Sequence, residues 1–211
     1  MNGIFLFAII SSLGMLIQSL VGFAGSLFAI PLFILFLEPR EAIPAYNLVM
    51  LFTNLLLIIE ARPHTQWKKL NRLLLGASFG VPLGAYGLAH FPTAGLRIII
   101  NAITIIFGLT LLCKVEIKLR ESDLLNLYVG FLSGLLGGST SESGPPVVIL
   151  GLARDWEKEP FRATLLTYFF FLTLMANLFF LCFRSLLEKK SGVIWDSFDT
   201  NLPDCDPGYI P

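Results

Sequence analysis

The sequence predicts an all-α, polytopic transmembrane helix bundle built from two related repeats, and three observations carry that prediction. Hydrophobic residues make up 55% of the 211-residue chain and charged residues only 14%, where a soluble domain carries about a quarter charged. The apolar residues gather in blocks long enough to cross a hydrocarbon core of roughly 30 Å as helix. Two of those blocks are interrupted in matching fashion by glycine and proline. The implied partner is a lipid bilayer. With a formal net charge of zero and no basic patch interleaved with aromatics, no nucleic-acid partner is expected.

Six apolar blocks run over 3–37, 43–59, 73–89, 98–113, 124–153 and 163–183. Short charged or Pro-containing loops part them, such as Glu38-Pro39-Arg40-Glu41 and Arg154-Asp155-Trp156-Glu157. Backbone polar groups cannot go unpaired in lipid, so each block is a helix or a closed-barrel strand, and the lengths exclude strands of about ten residues. The first and fifth blocks are too long for one span. The first contains Gly22-Phe23-Ala24-Gly25 and Pro31, and the fifth contains the stretch Gly137 to Pro146. Glycine and proline both weaken a helix interior, so each long block reads as a helix pair or a broken helix, giving about eight helical pieces. No Lys or Arg precedes Arg40, and the uncharged run over 1–37 is too long for a signal-peptide core, so the N-terminal block reads as mature membrane structure. Cys113, Cys182 and Cys205 have neither disulfide-framework nor metal spacing, and no metal or cofactor is expected.

The loop over 61–72 carries Arg62, Lys68, Lys69 and Arg72 without an acid, which predicts a cytoplasmic placement. The next basic loop, with Lys114, Lys118 and Arg120, falls on the same side two spans later, and the loop between them (90–96) has no Lys or Arg.

An internal repeat organises the chain. Gly22, Ser26 and Pro31 recur at one constant offset as Gly137, Ser141 and Pro146. The Glu38-Pro39 loop is then matched by Glu159-Pro160, and Asn54-Leu55 by Asn177-Leu178. The predicted division is a first repeat over 1–113, a second, incomplete repeat over 124–190, and a polar, Pro-rich tail over 191–211 that nothing in the first half resembles. The two spans that follow the basic loop in the first half have no counterpart in the second. The expectation is therefore a reading frame truncated or shifted near Trp195, with a genuine soluble tail as the alternative.

The chemistry concentrates in the interruptions. Paired broken segments in the two halves of a membrane protein point to a transporter's binding site. A break exposes the N–H groups and the positive dipole end of the following helix, which bind anions without a cationic side chain. The candidate substrate-binding residues are Gly22, Gly25 and Ser26 in the first break and Gly138, Ser139, Thr140, Ser141, Ser143 and Gly144 in the second. Glu142 is an ionisable group inside an apolar block and is the candidate coupling residue. Gln18, Asn54 and Asn177 are candidate path-lining residues, with interhelical hydrogen bonding as the alternative use. Gly76, Gly80 and Gly84, four apart, read as a close-packing face. Enzymatic chemistry is poorly supplied. The only histidines, His64 and His90, lie in loops, and Ser141-Glu142-Ser143-Gly144 is not a nucleophile elbow.

Gly22-Phe23-Ala24-Gly25 with Pro31, and Gly130-Phe131-Leu132-Ser133-Gly134-Leu135-Leu136-Gly137-Gly138 running to Gly144-Pro145-Pro146, resemble the sulfite exporter TauE/SafE family of membrane permeases over about residues 3 to 190. The two-repeat layout and the Glu-Pro loops fit as well. The resemblance implies a plasma-membrane carrier of sulfite, a sulfonate or another organic anion. The Ser139–Ser143 cluster is more polar than that family's pattern, and members typically have a complete second half. The function expected is secondary transport of a small anion. The alternatives are a passive channel, a non-transporting membrane subunit or an inactive truncated product, and a homo-oligomer is compatible with the sequence.

Overall fold

The computed structural model describes residues 3–112 and 122–191. Over them the chain forms eight α-helices: α1 (Gly3–Val21), α2 (Gly25–Phe33), α3 (Pro39–Ala61), α4 (Trp67–His90), α5 (Thr93–Leu112), α6 (Asp123–Thr140), α7 (Gly144–Ala153) and α8 (Lys158–Ser191), with a single 3-10 turn at Arg62–His64. Cys113, most of the second basic loop, and the tail with its proposed frame change lie outside the described residues. Four stretches are long and apolar enough to cross a membrane: Pro39–Ile59, Trp67–His90, Thr93–Thr110 and Lys158–Cys182. Large apolar side chains such as Leu20, Leu35, Phe52, Leu56, Ile59, Phe79, Ile98 and Ile106 are exposed around the bundle, as a lipid-facing surface requires. The chain is a multi-pass membrane protein.

α2 and α7, of 9 and 10 residues, reach only about 15 Å, half a hydrocarbon core. Each folds back on the helix before it. In the first hairpin Gly25 lies against Gly14, where a Cβ would come 2.7 Å from the Gly14 carbonyl oxygen. At the other end Phe7 stacks on Phe33, ring centroids 4.6 Å apart. In the second, Ser133 Oγ donates to the Ser143 carbonyl at 2.6 Å, and Arg154 at the end of α7 donates to Asn126 Oδ1 at 2.6 Å. Both interruptions are therefore tips of re-entrant helical hairpins.

The two hairpins enter from opposite ends. α4 is one helix of 24 residues, about 36 Å long, and serves as the ruler. At its start, Arg72 pairs with Asp123 at the base of the second hairpin, and Lys69 lies 4.3 Å over the Trp156 ring just past α7. At its end, Leu88 packs in one cluster with Ile10, Phe33 and Leu96, and Phe91 accepts a hydrogen bond from Arg40, which follows the first hairpin, at 3.0 Å. One base lies at each end of α4, so the tips point toward each other.

α4 and α6 run side by side in the same direction with their backbones in contact. A Cβ on Gly76, Gly80 or Gly84 would collide with the backbone of Leu127, Phe131 or Leu135 respectively, and one on Gly130, Gly134 or Gly138 with that of Leu73, Ala77 or Val81. Six glycines, three from each helix at four-residue spacing, interlock as a zipper. Without a hydrophobic drive between helices in lipid, such close packing is what holds them. Gly80→Leu is expected to cost about 3 kcal/mol or more of stability and to abolish the monodisperse peak in size-exclusion chromatography of the detergent-extracted protein. Gly108→Ala, where nothing lies within 4 Å, is expected to leave that peak unchanged.

Candidate substrate-binding site

The hairpin tips reverse the chain through left-handed residues: Gly22 (φ 85°) and Ala24 (φ 75°) in the first, Ser141 (φ 63°) in the second. Only Gly22 takes this conformation without cost. For Ala24 and Ser141 it costs about 1–2 kcal/mol each, so packing must hold them there. In the first hairpin much of that hold comes from the buried Gln18 carboxamide. Its Oε1 accepts from the Gly25 N–H at 3.1 Å and its Nε2 donates to Asn54 Oδ1 on α3 at 3.3 Å. Arg162 on α8 adds a second tie. It donates from Nη2 to the Ser19 carbonyl at 2.8 Å, placing a cation at the negative end of α1, and its side chain covers Gly22.

Between the tips lies a cleft lined by Gln18, Ala24, Ser26, Leu27, Met50, Asn54, Ser141, Ser143, Gly144, Phe169 and Thr173. Six of the residues singled out from sequence meet there: Gln18, Ser26 and Asn54 from one side, Ser141, Ser143 and Gly144 from the other. The cleft measures about 20 Å³, room for one water; a larger guest requires the tips to move apart.

The other candidates are placed elsewhere. Gly22 faces Arg162, and Gly25 is clasped between Gly14 and Gln18. Gly138 belongs to the α4–α6 zipper. Ser139 and Thr140 donate to the Leu135 and Leu136 carbonyls of their own helix at 2.8 and 2.9 Å, the usual use of a hydroxyl inside an apolar helix. Asn177 ties α8 to α3 by donating to the Asn47 carbonyl at 3.2 Å. Glu142 is fully buried and turns toward Thr104 on α5. By contrast, none of the hydrogen bonds among the described residues engages the hydroxyl of Ser26, Ser141 or Ser143.

Sequence reasoning missed Thr173 and Arg162. Thr173 lies one helical turn before Asn177, as Met50 does before Asn54, so the i, i+4 rule applied to the two asparagines points to both. Nothing in the Glu159-Pro160-Phe161-Arg162 sequence distinguishes Arg162 from other interfacial cations.

A family model described as sulfite exporter TauE/SafE matches residues 6–196. The chain belongs to the sulfite exporter TauE/SafE family. No curated protein and no solved structure matches it. In this TauE/SafE chain the second tip offers few backbone donors, because Pro145 and Pro146 fill the first turn of α7 and neither has an N–H. The N–H groups of Ser143 and Gly144 and the side-chain hydroxyls are the donors that remain. As a check on the tip geometry, Ala24→Gly is expected to raise the thermal midpoint in detergent, by up to about 1 kcal/mol of added stability, and Ala24→Val to lower it.

Proposed function

We propose that the protein is a secondary carrier that moves sulfite, a small sulfonate or another small organic anion across the plasma membrane, with the loop over 61–72 on the cytoplasmic side. The observation that supports this most directly is the meeting of two re-entrant hairpins, entering from opposite ends, at a cleft whose Ser26, Ser141 and Ser143 hydroxyls are uncommitted. Hydroxyls and the α2 helix start suit the oxygens of a sulfo group, with no cation required in the cleft. The water-sized cleft fits a carrier state closed around an empty site, which opens as one hairpin swings against the other. On this reading the two hairpins are the equivalent parts of the two repeats.

The test is counterflow of labelled sulfite and labelled methanesulfonate in liposomes holding the full chain. A carrier accumulates label against preloaded unlabelled substrate. Downhill leak without accumulation means a channel, and no flux of either anion overturns the proposal. Ser141→Gly removes the hydroxyl while relieving the left-handed strain, so it leaves the fold at least as stable. It is expected to weaken apparent affinity on the order of ten-fold, as is Ser143→Ala, each having lost one hydrogen bond to a charged ligand. Unchanged flux in both variants removes the site.

A further inference from the structure

Glu142 sits between two cleft residues, Ser141 and Ser143, yet it does not line the cleft. Its side chain is completely buried, with Oε1 2.8 Å from Thr104 Oγ1 and Oε2 buried without a partner. Thr104 Oγ1 also lies 3.0 Å from the Ile100 carbonyl oxygen. A hydroxyl has one proton to give. When Thr104 donates it to Ile100, the contact with Glu142 is completed by a proton on the carboxyl. When the carboxyl is ionised, the hydroxyl turns to donate to it. The Thr104 rotor serves both protonation states with little rearrangement.

Among the described residues, no cation stands by to hold the charged form. Helices α1, α2 and α7 contain no ionisable side chain. α5 carries only Arg97, two helical turns before Thr104, and α6 carries Asp123 at its far end and Tyr128. On α4 the charges Lys68, Lys69, Arg72 and the histidine His90 lie at the ends, with Tyr86 near the last. α3 has Arg40, Glu41 and Glu60 toward its ends and Tyr46 inside. α8 has Lys158, Glu159 and Arg162 at its start, then Tyr168 and Cys182, with Arg184, Glu188, Lys189 and Lys190 in its last turns. Among the described residues no ion pair reaches Glu142, and an unpaired buried carboxylate is strongly disfavoured.

We propose that Glu142 is a proton-binding site coupled to the anion cleft, so that anion and proton move together as a symport; this rests on the carrier reading above. Anion and carboxylate would lie on opposite faces of one three-residue tip, in surroundings that screen charge poorly. Anion binding therefore favours the protonated carboxyl, and by reciprocity the protonated carboxyl favours the anion. A sodium ion is poorly served here, since Glu142 and Thr104 bring few oxygens to a hard cation.

The experiment uses methanesulfonate, which stays anionic across the working range, so that any proton moved is the protein's. In wild-type proteoliposomes with an interior pH dye, an inward methanesulfonate gradient is expected to acidify the lumen, and anion affinity is expected to weaken on the order of ten-fold from mildly acidic to mildly alkaline pH. Glu142→Gln, fixed in the neutral form, is expected to keep counterflow with affinity independent of pH and to lose accumulation driven by a pH gradient. Sodium-dependent accumulation, or pH-driven accumulation by Glu142→Gln equal to wild type, overturns the proposal. A second readout needs no transport. Infrared difference spectra of the detergent-solubilised protein are expected to show a buried carboxylic-acid C=O band that Glu142→Gln lacks, and a wild type without that band overturns the proton site. If the band is present but neither anion shows counterflow, it is the carrier reading that has failed.

Discussion

The contact between α4 and α6 governs this fold. Apolar side chains gain nothing by leaving lipid for one another, so two helices in a bilayer stay together through intimate packing, and here the packing is backbone on backbone across six glycines. The direction of α6 is thereby set parallel to α4. The base of the second hairpin then falls beside Arg72, at the end of the bundle away from Leu88 and the first hairpin. The meeting of the tips follows from that arrangement, from the α3–α8 contact, where Asn177 reaches Asn47, and from Thr65, just before α4, which meets Thr167 on α8 at 2.8 Å.

Lipid also demands that irregular backbone be buried in protein or line a cavity. The two tips are such places, and their polar side chains divide the work. Gln18 and Ser133 spend their hydrogen bonds holding the reversals. Ser139 and Thr140 return theirs to their own helix. Ser26, Ser141 and Ser143 are left with theirs unspent, so the polar stretch that looks uniform in sequence separates into scaffold and candidate ligand groups.

Much of this is legible in the sequence alone. The apolar blocks, both interruptions, the close-packing reading of Gly76, Gly80 and Gly84, and the TauE/SafE resemblance are local or periodic signals, and all appear in the structure or the family match. What could not be read was long-range. Whether an interruption kinks a helix or reverses it depends on whether Gly14 accepts Gly25 against it, a fit of two backbones that leaves no pattern in spacing. The azimuth of Glu142 was hidden as well. The positive φ of Ser141 rotates the following residue out of helical phase, so a helical wheel aims its carboxyl wrongly. Thr104, thirty-eight residues away, has no sequence signal tying it to that carboxyl.

The pair Pro145-Pro146 carries one more consequence. A fully amide-lined helix start would grip a sulfo group from several fixed donors and hold it long. Two prolines in that turn leave the second tip with rotatable hydroxyls, whose strength per bond is similar but whose grip is remade at each rotation. On the proposed reading the anion's dwell time is short, and a permease benefits from that, since turnover is limited by how fast a site lets go. The same residues that make α7 start cleanly would make its cargo easy to release.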